Sequence, residues 1–194
     1  HNDLDAQYKY FLDVSSIDEK LINYQNENII NITHEQLDRW LQIYNWNKIK
    51  YELNLLQEKR ASSDEILKFI PGYVRLEFLT ALALRFNMPA YEIKPNYPAD
   101  DQGLPTSSAP GGAGDIECSN NEETVLIEVT LLRDSTQASN EMPRIKRHIK
   151  SKISESPENV NFAIFVVPKI HEDSITFIDY LKSKQGGSFI INPY

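Results

Sequence analysis

Gly114-Asp115-Ile116-Glu117-Cys118, followed after a short turn by Thr124-Val125-Leu126-Ile127-Glu128-Val129-Thr130-Leu131-Leu132, is the stretch whose reading decides the fold. The first segment alternates polar and apolar residues, the second is strongly apolar, and Asn120-Asn121 between them supplies a turn, so the pair reads as a β-hairpin. Strand side chains alternate, which puts Glu128 and Thr130 on one face and Ile127, Val129 and Leu131 on the other. A carboxylate within Val-Leu-Ile-Glu-Val is costly to bury unless it is paired or bound to metal. Asp115 begins the neighbouring arm and reaches the same face, where two carboxylates repel unless a cation lies between them. Their oxygens, with backbone and water oxygens, suit Mg²⁺. Glu117 shares the face of Asp115 and is a spare ligand candidate. The plainer reading of Glu128 is an edge-of-strand acid that solubilises the sheet.

Working outward, residues 95–114 are rich in Pro, Gly, Ser and Asp, a long loop of the kind that is more often functional or mobile than a passive connection. Ala90 to Lys94 reads as a strand ahead of it. Further upstream the texture is helical. Tyr73 to Phe86 spaces Leu76, Leu79, Ala83 and Phe86 for burial and carries Glu77 inside the run. Asp64 to Ile70 reads as a helix stopped by Pro71-Gly72. Thr33-x-x-Gln36 resembles a capping box before Leu37, Trp40, Leu41 and Tyr44, and short helical pieces are expected at Tyr8 to Leu12 and Ile17 to Tyr24. Downstream, Asn140 to Ile153 returns to helical period with Met142, Ile145, Ile149 and Ile153 as its core stripe. Phe162 to Val167 reads as a buried strand, Ile175 to Leu181 as a helix and Ser188 to Ile191 as a last strand. This order predicts an α/β fold with a central mixed sheet flanked by helices. Residues 1–70 form a helical N-terminal region and 71–194 the core, the two able to behave as one domain.

At 194 residues, 41% hydrophobic and 25% charged, the chain belongs to the ordinary globular class. Cys118 is its single cysteine, which excludes an internal disulfide and any zinc site needing two thiolates. No apolar run approaches the ~20 residues that span a bilayer. With no secretory leader visible, the expected location is the cytoplasm. The opening at His1 without methionine is what an excised fragment with a tag remnant would show. The net charge of −8 argues against a free-standing DNA-reading module, because Lys and Arg supply most non-specific affinity for phosphates. It does not argue against a carboxylate site neutralised by metal, with the basic grip supplied elsewhere.

Pro110 to Ile116, then Leu126-Ile127-Glu128-Val129-Thr130-Leu131, Ser135-Thr136-Gln137 and Glu141-x-Pro143-x-x-Lys146-Arg147-His148 together resemble the catalytic block of the AlwI-type restriction endonucleases, within the PD-(D/E)xK nuclease superfamily. The resemblance covers roughly residues 70 to 170. It implies a PD-(D/E)xK core and a metal-dependent endonuclease of type IIS that hydrolyses phosphodiester bonds of double-stranded DNA. Only the cutting part matches, so recognition is expected from another domain or subunit, with transient pairing of cleavage domains to cut both strands. Asp115 and Glu128 match metal ligands, and Glu77 matches the helix-borne acid that completes the cluster. The implied cofactor is Mg²⁺, with Mn²⁺ able to substitute, which would activate water and offset charge on the scissile phosphate. Thr130 stands where the general superfamily pattern has lysine, as in the AlwI-like variant, and a hydroxyl cannot do the work of an ammonium. Gln137 would orient a water or contact phosphate.

Arg144, Arg147, His148 and Ser151 recur at helical steps of three and four, giving a polar face on which Arg144, Arg147 and His148 are candidate DNA phosphate contacts. Lys146, Lys150 and Lys152 add positive charge on the flanks. His171 stands at a strand end from which it would face the site, although a loop histidine is usually incidental. Asp100-Asp101 and Glu122-Glu123 lie in turn-like sequence as solvated acids. Two rival readings stand beside the nuclease. One is a glycoside hydrolase using Asp115 and Glu128 as acid and base, which needs the carboxyls ~5 to 9.5 Å apart across an open cleft. The other is a non-catalytic assembly subunit whose nuclease-like core serves dimerisation.

Overall fold

The two arms pair as read. In the computed structural model β2 (Ile116–Ser119) and β3 (Glu123–Val129) run antiparallel with Ile116 opposite Ile127, and β1 (Glu92–Pro95) adds antiparallel to the outer edge of β2. The structure describes residues 33–155, 160–185 and 189–191, all in one compact unit spanning 31–194. The helical pieces expected at 8–12 and 17–24 lie outside the described residues. Beyond β3 the chain crosses over through helix α4 (Met142–Glu155) to β4 (Val160–Val166), parallel to β3, and through α5 (Glu172–Gln185) to β5 (Phe189–Ile191), parallel to β4. The result is a five-stranded mixed sheet in the order β1-β2-β3-β4-β5. The antiparallel β2–β3 pair closes over a short turn, whereas the parallel pairs need a crossover.

The period-two rule sorts β3 between two cores. Val125 and Ile127 join Ile93, Ile116 and Cys118 against the upstream helices, while Leu126 packs with Met142, Ile145, Ala163, Phe165, Val167 and Ile178 under α4 and α5. The upstream layer holds α1 (His34–Ile43), α2 (Trp46–Gln57) and α3 (Gly72–Asn87). The capping box at α1 is present: Gln36 N donates to Thr33 Oγ1 at 3.3 Å and Thr33 N to Gln36 Oε1 at 2.9 Å. Helix α2 is an element that the sequence reading omits, started by Asn45, whose side chain accepts from Lys48 N at 3.1 Å. The helix expected over Asp64 to Ile70 is only a 3₁₀ turn at Leu67–Phe69. Asp64 Oδ1 takes the N–H groups of Ile66 and Leu67, each at 3.0 Å, and Pro71 follows too soon for a longer helix.

Helix α3 is buried on every side from Val74 to Leu82, between α2 and the sheet, as a helix apolar all round should be. Phe86, expected inside, is largely exposed and stacks on Trp46 with rings parallel at 5.3 Å. Ile153 is likewise outside, 45% exposed in the last turn of α4. The loop after β1 is tied down rather than loose: Trp40 Nε1 donates to Gln102 O at 2.9 Å and Gln36 Nε2 to Asp101 O at 3.2 Å. Gly103 there has φ 80° and lies so near that a Cβ would stand 2.9 Å from Gln36 Cβ, so glycine is required on both counts. Among the described residues no helix is long and apolar enough to cross a membrane.

Candidate active site

Continuing the β2–β3 register by one residue sets Asp115 directly across from Glu128, where opposed side chains have Cβ atoms roughly 5 Å apart. Both lie on the sheet face that α4 covers. Asp115 is fixed by Val129 N–H, which donates to Oδ2 at 2.7 Å. Asn96 grips the approach to it: its Nδ2 donates to Gly114 O at 2.6 Å and its backbone N–H to Asp115 O at 2.9 Å. Gly114 passes so close that a Cβ would come within 3.2 Å of Glu128 Oε1. Glu77 enters from α3, 5% exposed, and Oε2 accepts from Ala109 N–H at 2.9 Å. The long loop thus bridges helix-borne and strand-borne acids.

Desolvation dominates their electrostatics. Burial pushes the Glu128 carboxyl up to about 8, helped by the charges of Asp115, Glu141 and Glu77 and opposed by Arg144. Burial raises Glu77 to about 7, against the stabilising Ala109 N–H and with the Asp115 charge adding to the rise. It raises Asp115 to about 6, against the Val129 N–H and Arg144 and with Glu141 adding. Each acid therefore feels others from different elements, which defines one site of converging carboxylates. Glu141 is the member with no assigned role in the sequence reading. It stands at the start of α4, 3.6 Å from Arg144 Nη1. Four acids against one guanidinium leave the cluster strongly acidic. Among the described residues no three His, Cys, Asp or Glu groups stand together at coordinating distance of a single point. One oxygen of each of Glu77, Asp115 and Glu128 is instead engaged with a neighbouring donor.

The model of the AlwI restriction endonuclease family matches residues 2–185. The chain belongs to that family. A solved structure, the small subunit (R.BspD6I2) of the heterodimeric restriction endonuclease R.BspD6I, superposes with a TM-score of 0.57 at 20% identity, covering 74% of this chain and 72% of that one. At that identity the likeness carries the fold alone, in line with the mixed sheet read from the hairpin and crossover and with the restriction-endonuclease-like core that the resemblance implies. Comparison with curated protein sequences gives no match. Family membership gives this chain a restriction-endonuclease role and sets the glycoside hydrolase reading aside.

Other residues singled out in this AlwI-family chain are placed differently from expectation. His148, expected on an exposed polar face, is buried, with Nδ1 2.6 Å from Glu128 Oε1. It lies seven residues after Glu141 and four after Arg144, so all three share the side of α4 that meets the sheet. Burial, then Arg144 and Arg147, hold its pKa below the ordinary histidine value. Gln137 is wholly buried and its amide is fully used: Nε2 donates to Leu132 O at 2.5 Å and Lys169 O at 2.7 Å, while Oε1 accepts from His171 N at 2.8 Å and Ser174 Oγ at 3.4 Å. No donor or acceptor remains for water or phosphate, so the structure makes it a clamp between the chain after β3 and the start of α5.

Gln137 also opens a π-helical turn, Gln137–Glu141, in which Met142 N–H reaches back five residues to Gln137 O. Pro143 has no N–H for a regular α-ladder at that point, and the wide turn sets the phase in which α4 presents Glu141, Arg144 and His148. Thr130 lies just beyond β3, its N–H donating to Val166 O at 3.1 Å and its Oγ1 accepting from Leu132 N at 3.3 Å. Arg144 is partly exposed beside the acids and Arg147 is exposed. Glu117 pairs with Lys152 at 2.9 Å. His171 accepts from Asp173 N at 3.3 Å at the start of α5, where it caps the helix rather than entering the site.

Proposed function

We propose that this chain is the cutting component of a type IIS restriction endonuclease and hydrolyses phosphodiester bonds of double-stranded DNA at the cluster of Glu77, Asp115, Glu128 and Glu141. The observation that carries this reading is the convergence of buried Glu77 and Glu128 with half-buried Asp115 and Glu141, from α3, the β2–β3 hairpin and the turn before α4, with the charges of Asp115, Glu141 and Glu77 all acting on Glu128. Such a concentration of carboxylates is stable in the ionised form only if a cation neutralises it. Asp115, Glu128 and Glu77 are the residues that would hold Mg²⁺, since their hard oxygens match it. When bound, the ion would neutralise the cluster and lower the pKa of water beside the scissile phosphate.

The chain's own groups have distinct tasks in this reading. Val129 and Ala109 N–H groups orient Asp115 and Glu77. His148 holds Glu128 through Nδ1, fixing its carboxyl as outer-shell hydrogen bonds do for ligating carboxylates. Arg144, partly exposed beside the acids, is the donor best placed for a phosphate oxygen, with Arg147 following on the outer face of α4. Thr130 contributes backbone order at the position where a lysine would otherwise sit, so charge stabilisation falls to the metal and Arg144. Recognition belongs to another domain or subunit, consistent with the chain's net charge of −8; the similar R.BspD6I2 chain is itself one subunit of a heterodimer. The test is cleavage of labelled duplex DNA with Mg²⁺ or Mn²⁺, by the chain alone and mixed with its recognition partner. Asp115→Asn and Glu128→Gln should abolish cutting, and wild-type cutting by either would sink the assignment. Inactivity of the wild-type chain under both conditions would leave the assembly-subunit reading.

A further inference from the structure

Two hydroxyls close to Glu77 are buried without a partner. Tyr97 is 1% exposed, and its Oη is one of four buried side-chain polar atoms among the described residues that make no hydrogen bond; Thr80 Oγ1 is another. The remaining two, on Glu52 and Arg75, belong to residues whose charges act on each other in the helical layer. Thr80 follows Glu77 by three residues on α3, which makes them neighbours on the helix surface. Tyr97 packs edge-on against Phe78, the residue after Glu77, with ring centroids 6.5 Å apart. The Glu77 carboxylate is near enough for its charge to bear on the phenol. Tyr97 is also the residue after Asn96, which grips Gly114 and Asp115. The rest of its surroundings are apolar core, where phenylalanine would serve if packing were the whole role.

Buried polar groups in native proteins are satisfied, by ordered water where no side chain reaches them. Glu77 spends Oε2 on Ala109 N–H, and its other oxygen is not among the buried atoms left without a partner. We infer that Tyr97 is a positioning residue for Glu77: its hydroxyl, together with that of Thr80, holds one buried water against the carboxylate and sets the direction in which Glu77 faces Asp115 and Glu128. The inference rests on the proposed role of Glu77 as a metal ligand.

The test is Mn²⁺ binding to the full chain, followed by the electron paramagnetic resonance signal of the free ion, with thermal midpoints in EDTA and DNA nicking rates measured alongside. Tyr97→Phe should weaken Mn²⁺ binding about 10-fold or more, the scale on which loss of an outer hydrogen-bond partner acts, and slow nicking in parallel. The midpoint in EDTA should change little, since phenylalanine keeps the ring and its edge-on packing against Phe78. Thr80→Val should act in the same direction and carries the test if Tyr97→Phe proves unstable. Glu77→Gln is the control. If Glu77→Gln weakens Mn²⁺ binding while Tyr97→Phe and Thr80→Val bind as wild type, the positioning role is overturned and the site stands. If Glu77→Gln itself binds as wild type, the reading of the site fails, and the inference with it.

Discussion

Glu128→Gln should make the metal-free protein more stable, and only above a defined pH. In the fold the Glu128 carboxyl titrates near 8 against an ordinary glutamate value near 4.5. Because its folded pKa is raised, its contribution is fully present below about pH 4.5 and is lost as pH rises through 8. At ~1.4 kcal/mol per factor of ten in proton affinity, the loss is on the order of 4 kcal/mol. Part of it depends on neighbouring acids being charged, so removing Glu128 recovers an amount of that order only when Asp115 and Glu77, raised to about 6 and about 7, are themselves ionised. Glutamine fills the same space, keeps a partner for His148 and has no charge to desolvate.

The assay is urea unfolding in EDTA at pH 4.5 and pH 8.5. Wild type and Glu128→Gln should be nearly equal at the lower pH, with the variant ahead at the higher one by on the order of 4 kcal/mol. His148 acts oppositely, since its depressed pKa gives stability that is lost as pH falls, but it is present in both proteins and largely cancels in the comparison. Excess Mg²⁺ should then raise the stability of wild type alone, by about 2.7 kcal/mol at one hundred times the dissociation constant. A Glu128→Gln protein no more stable than wild type at pH 8.5 in EDTA would refute the claim that an unneutralised buried charge sits at the centre of the site.

Glu141→Gln should cut DNA at least ~100-fold more slowly with an unchanged unfolding midpoint, the scale of losing a preorganised charged group at a reacting centre; wild-type nicking would remove Glu141 from the cluster. Gln137→Ala should lower stability by about 2–4 kcal/mol, because it leaves several buried donors and acceptors unsatisfied, while activity per folded molecule at low temperature persists. Loss of activity with unchanged stability would instead return Gln137 to the chemistry. Gly114→Ala should fold but lose most metal-dependent cleavage, since its Cβ would press within 3.2 Å of Glu128 Oε1; full cleavage would mean that the carboxylate has room to move.

What could be read from the sequence follows from which interactions are local. The hairpin was legible because alternation, a two-asparagine turn and an apolar second arm act over a few residues, and the register that opposes Asp115 to Glu128 follows from that turn. Glu77 was legible only through resemblance, because nothing within α3 indicates which side of an all-round buried helix meets the hairpin. Glu141 stood in the resembling block without a role; its signal was the 141, 144, 148 spacing, readable only once the π-helical turn fixes the phase of α4. Gln137 was misread because its partners Lys169, His171 and Ser174 are more than thirty residues away. Helix α2 is absent from the sequence expectation although Asn45 before Trp46, Ile49, Leu53 and Leu56 carries a cap and a helical stripe. Asp64 to Ile70 was overextended because apolar spacing says nothing of an aspartate that captures two N–H groups of its own turn.

The arrangement explains how an acidic chain fits a DNA-cutting role on the proposed reading. Net charge of −8 gives little general hold on phosphates. The cations Arg144, Lys146, Arg147, Lys150 and Lys152 lie along one helix, and two of them are partly spent, Arg144 beside Glu141 and Lys152 on Glu117. Local positive charge therefore suffices to align a strand already delivered to the acids but not to capture DNA from solution. On that reading the same acids that repel unguided DNA would bind the neutralising ion, so cutting would require both the ion and a partner that brings the duplex. Weak intrinsic grip is then what confines cleavage to sites that another domain or subunit has read.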